Sequence, residues 1–184
     1  CHDPYVVGSD FVGEEITDIA ELKAVIREIV TGVAAHDPDW TIRIHAGEND
    51  TLKSNMSKSI DLVEEALLPG QRFPHMRIGH GLYSAKLSSK QGRTLLSKLK
   101  DHDIILEFQL TSNVRLNNII DLRRHPLKSY LAQNIACVMG TDGWGLYGTD
   151  GIDEQLALSN FLKITDQEFL KMKAVEDRVL KRQA

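Results

Sequence analysis

The stretch Thr41-Ile42-Arg43-Ile44-His45-Ala46-Gly47-Glu48 sets the reading of the whole chain: a short β-branched run, Thr41 to Ile44, that ends in a histidine, a small turn and a carboxylate. Runs of the same kind recur at Tyr5 to Gly8, Met76 to Ile78, Ile104 to Phe108 and Ala136 to Met139. They are too apolar for strands with one wet face, so they read as buried parallel strands.

Helical spacing fills the gaps. Leu22, Val25, Ile26, Ile29, Val30 and Val33 make an apolar stripe, and further helices are expected over Ser57 to Leu68, closed by Pro69-Gly70, and over Ser89 to Lys100. A fourth begins near His125-Pro126, where proline suits a first helical turn. After the last strand a Gly-rich loop, Gly140 to Gly151, leads to a helix near Glu154 to Phe161. A final helix is opened by the capping-box pattern Thr165-Asp166-Gln167-Glu168. The strand-to-strand spacing suits βαβ crossovers and excludes a hairpin-built fold. An open five-stranded parallel sheet and a portion of an eight-stranded barrel satisfy the pattern equally.

The chain has 184 residues, 42% of them hydrophobic and 26% charged, with 13 glycines and 5 prolines. That composition can bury a core, and the length corresponds to one domain or a piece of a larger one. A net charge of -4 and no basic block beyond Leu180-Lys181-Arg182 argue against a nucleic acid polymer as partner. No apolar run reaches the roughly 18 residues of a membrane span, so no membrane partner is expected. Two cysteines, Cys1 and Cys137, cannot build a disulfide framework and fit a reduced, cytoplasmic chain, although they are also compatible with secretion. Cys1 has neither an initiating methionine nor a signal-type segment beside it, so a fragment is expected.

Asp10, His45, Glu48, His80, Asn113 and Asp142 fall at or just past the C-terminal ends of the expected strands, where parallel β/α folds place their chemistry. His45 beside Glu48 suits a metal ligand next to a proton donor, or a structural pair. Glycines bracket His80 in Arg77-Ile78-Gly79-His80-Gly81, which suits close approach of a ligand, or a histidine capping the next helix. Asp142-Gly143 could complete a metal site or simply make a turn. Asp10 to Glu15 join acids to Gly13, whose backbone could touch a substrate, or else mark a helix N-terminus. Thr111-Ser112-Asn113 could tie loops together or form an Asx-type turn. The remaining histidines, and the acidic run Asp61 to Glu65, read as surface or capping residues. No P-loop, GxGxxG, GxSxG elbow or CxxC is present.

In order, the segments Ser9 to Glu15, His45-Ala46-Gly47-Glu48, Arg77 to Gly81, Thr111-Ser112-Asn113, His125-Pro126 and Thr141-Asp142 resemble the adenosine deaminase family of zinc-dependent aminohydrolases. The resemblance implies an α/β fold, the C-terminal portion, about five β/α units, of a (β/α)8 TIM-type barrel. Residues 1–184 would form a single domain with C-terminal helices from about residue 153. It implies Zn2+ as cofactor with His45 and Asp142 as ligands, and Glu48 as proton donor to the purine ring. His80 would orient or deprotonate the attacking water, and Gly13 and Asp10 would lie on the substrate side. The implied reaction is hydrolytic deamination of adenosine or a related aminopurine to the 6-oxo product and ammonia.

Two departures from the family's pattern stand beside this. No His-x-His pair occurs, and the first three β/α units are missing, so a preceding segment or a separate chain of the same parent is expected to complete the barrel. Gly143 stands where the family has a second acid that contacts the purine, a lost hydrogen bond worth about 1–3 kcal/mol. The alternatives are an inactive deaminase-like domain that binds a nucleoside or a protein, and a metal-dependent hydrolase of another amine-bearing heterocycle.

Overall fold

The computed structural model describes Asp3 and residues 5–182. Its centre is one parallel sheet in the order β1-β2-β3-β4-β5, each strand hydrogen-bonded to the next in sequence. The strands are β1 Gly8–Phe11, β2 Thr41–Ala46, β3 His75–His80, β4 Ile105–Phe108 and β5 Cys137–Met139. This is the strand order of consecutive barrel units laid side by side.

The connections are helical: α1 Lys23–Glu28, continued by a wider turn through Ile29–Val33, then α2 Asn55–Ala66, α3 Lys90–Asp101, α4 Leu110–Arg115 and α5 Leu127–Ala132. After β5 come α6 Trp144–Tyr147, α7 Gly151–Leu162 and α8 Asp166–Arg182. Capping chemistry sets their starts. Ser89 accepts Gly92 N–H ahead of α3, and Asp150 forms a reciprocal box with Asp153 ahead of α7. At the start of α8 the Thr165 N–H donates to the Glu168 carboxylate and the Glu168 N–H donates to the Thr165 hydroxyl, the capping box that the sequence pattern requires.

β2 shows why the sheet has two unlike faces. Ile42, Ile44 and Ala46 are fully buried toward the helices, while Thr41, Arg43 and His45 alternate onto the other face. Met76, Ile78, Leu106 and Phe108 continue the buried layer against Met56, Ile60, Val63, Leu95 and Leu99 from α2 and α3. No helix among the described residues is long and apolar enough to cross a membrane.

Three expectations need correction. The first strand lies at Gly8–Phe11 and not at Tyr5 to Gly8; Tyr5 is 91% exposed. The partner strand begins only at Thr41, so the ladder starts at Gly8↔Thr41 and leaves the apolar run outside it. A Cβ on Gly8 would lie 2.6 Å from the Thr41 carbonyl oxygen, so the glycine permits this pairing. Asp10 therefore sits within β1 and not past its end. Thr111-Ser112-Asn113 forms part of α4 and not a turn, because Glu154 of α7 accepts the backbone N–H groups of Leu110 and Thr111 at its start. The acids Asp10 to Glu15 precede no helix directly; Asp18 caps the next helical turn.

Candidate active site

The residues of the upper sheet face converge through the strand register. Asp10 of β1 pairs in register with Arg43 of β2, and Arg43 with Arg77 of β3. Arg43 Nη1 donates to Asp10 Oδ2 at 2.7 Å and Nε donates to Glu107 Oε2 of β4 at 2.6 Å. The other Glu107 oxygen faces Arg77 Nη1 at 3.2 Å. A buried carboxylate is thus neutralised by two guanidinium groups, the arrangement that burial of charge demands.

His45 and His80 stand above this floor. Arg43 Nη1 also lies 2.6 Å from His45 Nε2, and His45 Nδ1 lies 3.2 Å from His80 Nε2. His80 Nδ1 faces Asn113 Oδ1 of α4 at 3.1 Å, while its backbone N–H donates to Gln109. Both rings are almost wholly buried. Burial, with the Arg43 and His80 charges nearby, pushes His45 down to about 4, so it is a neutral imidazole at neutral pH.

His80 does not cap the next helix, a role Ser89 fills. It ends β3 with φ +70°, a left-handed backbone that turns its ring away from the helix layer toward His45.

Glu48 projects from the loop after β2. Burial raises its carboxyl above the ordinary range, although His80 pulls the other way. Its Oε1 accepts from Asn118 Nδ2 at 3.3 Å and stands 3.7 Å from His80 Nε2. Behind it the buried Glu15 carboxylate accepts the backbone N–H groups of Gly47 and Glu48 at 2.9 and 2.7 Å.

Asp142, in the loop after β5, has φ +58°, so the turn reading of Asp-Gly holds for its backbone. Its side chain nonetheless lines an open cleft of about 400 Å3 together with Gly13, His45, Glu48, His80 and Tyr147. Asp10 lines an adjoining hollow that shares His45 and Gly13 with it. Five of the six site residues expected from sequence therefore meet in one cleft, and the sixth joins it through Arg43. Asn113, expected at a strand end and as a turn or loop-tying residue, holds His80.

Sequence reasoning missed Arg43, Glu107 and Glu154 as parts of this site, and singled out Glu15 only within the acidic run Asp10 to Glu15, without its role of holding the Gly47–Glu48 backbone. Arg43 was legible in principle, since the two-residue period of β2 puts it on the face of His45. Glu154 carried no such signal; its role depends on where α7 packs.

A metal can be tested against these groups. A neutral His45 and the Asp142 carboxylate offer the nitrogen and oxygen donors that zinc takes. They fit it as part of a site: two donors fall short of the usual three protein ligands, and no three His, Cys, Asp or Glu among the described residues come together as a metal cluster. Any cation at His45 Nε2 would first have to displace Arg43.

A parallel sheet whose strands follow one another in chain order, with polar residues gathered at their C-terminal ends, fits a portion of a TIM-type barrel. The sequence profile described as adenosine deaminase matches residues 2–181, and the chain belongs to that family. The adenosine deaminase of Escherichia coli strain SMS-3-5 is 33% identical over 120 residues, covering 65% of this chain and 31% of its own length. That of strain SE11 is 32% identical over the same span. The crystal structure of adenine deaminase from Arthrobacter aurescens superposes with a TM-score of 0.71 at 19% identity, over 94% of this chain and 46% of that one. The chain thus spans about a third of the curated relatives it matches.

Proposed function

We propose that these residues form part of the active site of a zinc-dependent aminohydrolase that converts adenosine or a related aminopurine to its 6-oxo product and ammonia. The observation that carries the reading is the convergence of Gly13, His45, Glu48, His80 and Asp142 on one cleft from four separate segments of the chain.

Glu48 suits proton donation to a ring nitrogen, because burial favours its protonated form and Glu15 holds its backbone in place. His80, held by Asn113 and next to Glu48, is placed to orient or deprotonate an attacking water. The exposed backbone of Gly13 and the carboxylate of Asp10 line the substrate side. His45 and Asp142 would hold zinc together with donors from outside these residues, either a preceding segment or a separate chain of the same parent that completes the barrel. When bound, zinc supplies the Lewis acidity that makes water nucleophilic at neutral pH.

The test is ammonia release from adenosine, with and without zinc, by the longest native polypeptide carrying these residues, with Glu48→Gln as control. Zinc-dependent release abolished by Glu48→Gln supports the proposal. Bound zinc without release, followed by turnover of another aminated heterocycle, shifts the substrate. Neither zinc nor release favours the inactive binding domain, for which Gly143 is the specific observation.

A further inference from the structure

His80 is held by α4 at two points. The side chain of Gln109, the residue before the helix, accepts the His80 backbone N–H at 3.2 Å, and Asn113 Oδ1, one turn further on, meets the His80 ring at 3.1 Å. The two residues are four apart and share a helix face, with Asn113 N–H donating to the Gln109 carbonyl at 3.2 Å. Where His80 stands therefore depends on where α4 stands.

α4 cannot fix its own place. It has 6 residues, fewer than the about 12 at which an isolated helix begins to hold together, so its placement comes from tertiary contacts. Burial of Leu110 keeps it on the core, but apolar contact is non-directional. Gln109 gives no side-chain cap, its amide being turned to His80. The directional hold comes from α7, where the fully buried Glu154 accepts the backbone N–H of Leu110 and, at 3.2 Å, that of Thr111. The groups that act on this carboxyl are Thr111, the Leu110 backbone and the Asp142 carboxylate, with no cation among them. A buried acid without a cation is costly, and the free donors of a helix start are what offset it here.

We propose that Glu154 is a positioning residue for His80: by gripping the first backbone donors of α4 it sets the axial place of that helix, and with it Gln109 and Asn113, the two residues that hold His80. The proposal rests on the site reading only in treating His80 as functional. The contacts themselves lie within this chain and involve neither substrate nor metal, so they can be tested apart from activity.

The experiment is residue-resolved amide hydrogen exchange on the full chain, reading the rate at His80 relative to that at Ile78 of the same strand. Glu154→Ala should raise this ratio about 10-fold, together with exchange at Leu110 and Thr111, as the helix start opens locally. Glu154→Gln, which keeps one acceptor oxygen, should raise it less. Leu158→Ala is the control: it removes a fully buried side chain one turn along α7, leaves the carboxyl in place, and should lower the denaturation midpoint while leaving the ratio as it is. If Glu154→Ala does not fold, Glu154→Gln against Leu158→Ala decides. A ratio unchanged in the Glu154 variants, or raised as far by Leu158→Ala, overturns the proposal. In the longest native polypeptide, kcat should fall about 10-fold to 100-fold in Glu154→Ala with KM little changed, the signature of a misplaced group at the reacting centre; an equal fall in Leu158→Ala also overturns it. Absence of deaminase activity would leave the exchange ratios as they are, so failure of the functional reading is distinguishable.

Discussion

The carboxylate of Glu15 accepts the backbone N–H of Glu48 at 2.7 Å across a sequence separation of 33 residues. The same group takes Gly47 N–H and Asn55 Nδ2 at 2.9 and 3.0 Å. The loop that carries the candidate proton donor is therefore built on a buried acid from the segment after β1. Glu15→Ala would strip these donors of their acceptor and should cost about 3 kcal/mol, read from the denaturation midpoint, since each buried unpaired polar group costs about 1–3 kcal/mol. Glu15→Gln, which keeps one acceptor oxygen, should lose less.

Gly47 has φ +74°, and a Cβ there would strike the Tyr83 carbonyl and lie 3.1 Å from the Met56 sulfur. Gly70 has φ +80° but open space around it. Gly70→Ala should therefore cost only the backbone term, about 1–2 kcal/mol. Gly47→Ala should cost clearly more, and parallel thermal melts of the two variants would expose the difference.

His125 is 7% exposed and burial alone pushes it down to about 4. Its folded value lies below its unfolded value near 6.5, so the unfolded chain binds the proton first. The stability associated with a neutral His125 is whole above pH 6.5 and is lost as pH falls toward 4. The shift corresponds to at most about 3 kcal/mol. His125→Asn keeps an acceptor for Leu127 N–H, which His125 Nδ1 now accepts at 3.3 Å. Urea titrations between pH 7 and 4 should show a shallower loss of stability in the variant.

Gly143 has φ -73°, and a Cβ there would make only ordinary contacts, 3.5 Å from Leu146 and 3.7 Å from the Tyr147 ring. Gly143→Asp should be tolerated by the fold. If the cleft takes an aminopurine, the added acid should raise kcat/KM by about 5-fold to 150-fold, the equivalent of about 1–3 kcal/mol. An unchanged steady-state rate with a stable variant would mean that this position does not face the purine.

Much of the fold lies in local pattern. Ile42 and Ile44 alternating with Arg43 and His45 specify a strand with a buried and a polar face, and Ser89, Asp150 and Thr165 start their helices through side chains next to the helix itself. Tyr5 to Val7 misled because apolar β-formers resemble a strand wherever they occur, while the ladder depends on where Thr41 begins its partner. His45, Glu48, His80 and Asp142 were legible because each lies at or just past the C-terminal end of a strand, where parallel folds gather their chemistry.

The sequence by itself determined the β/α alternation, the candidate residues and the family resemblance, because hydrophobic period, capping and motif order are encoded over a few residues at a time. Only the tertiary structure decided that Arg43 is held between Asp10 and Glu107, that Asn113 holds His80, and that Glu15 and Glu154 anchor a loop and a helix start distant in sequence. Those contacts follow from strand register, from a left-handed backbone at His80 and from the packing of the β1–α1 loop and of α7, and each is set by which segments lie side by side.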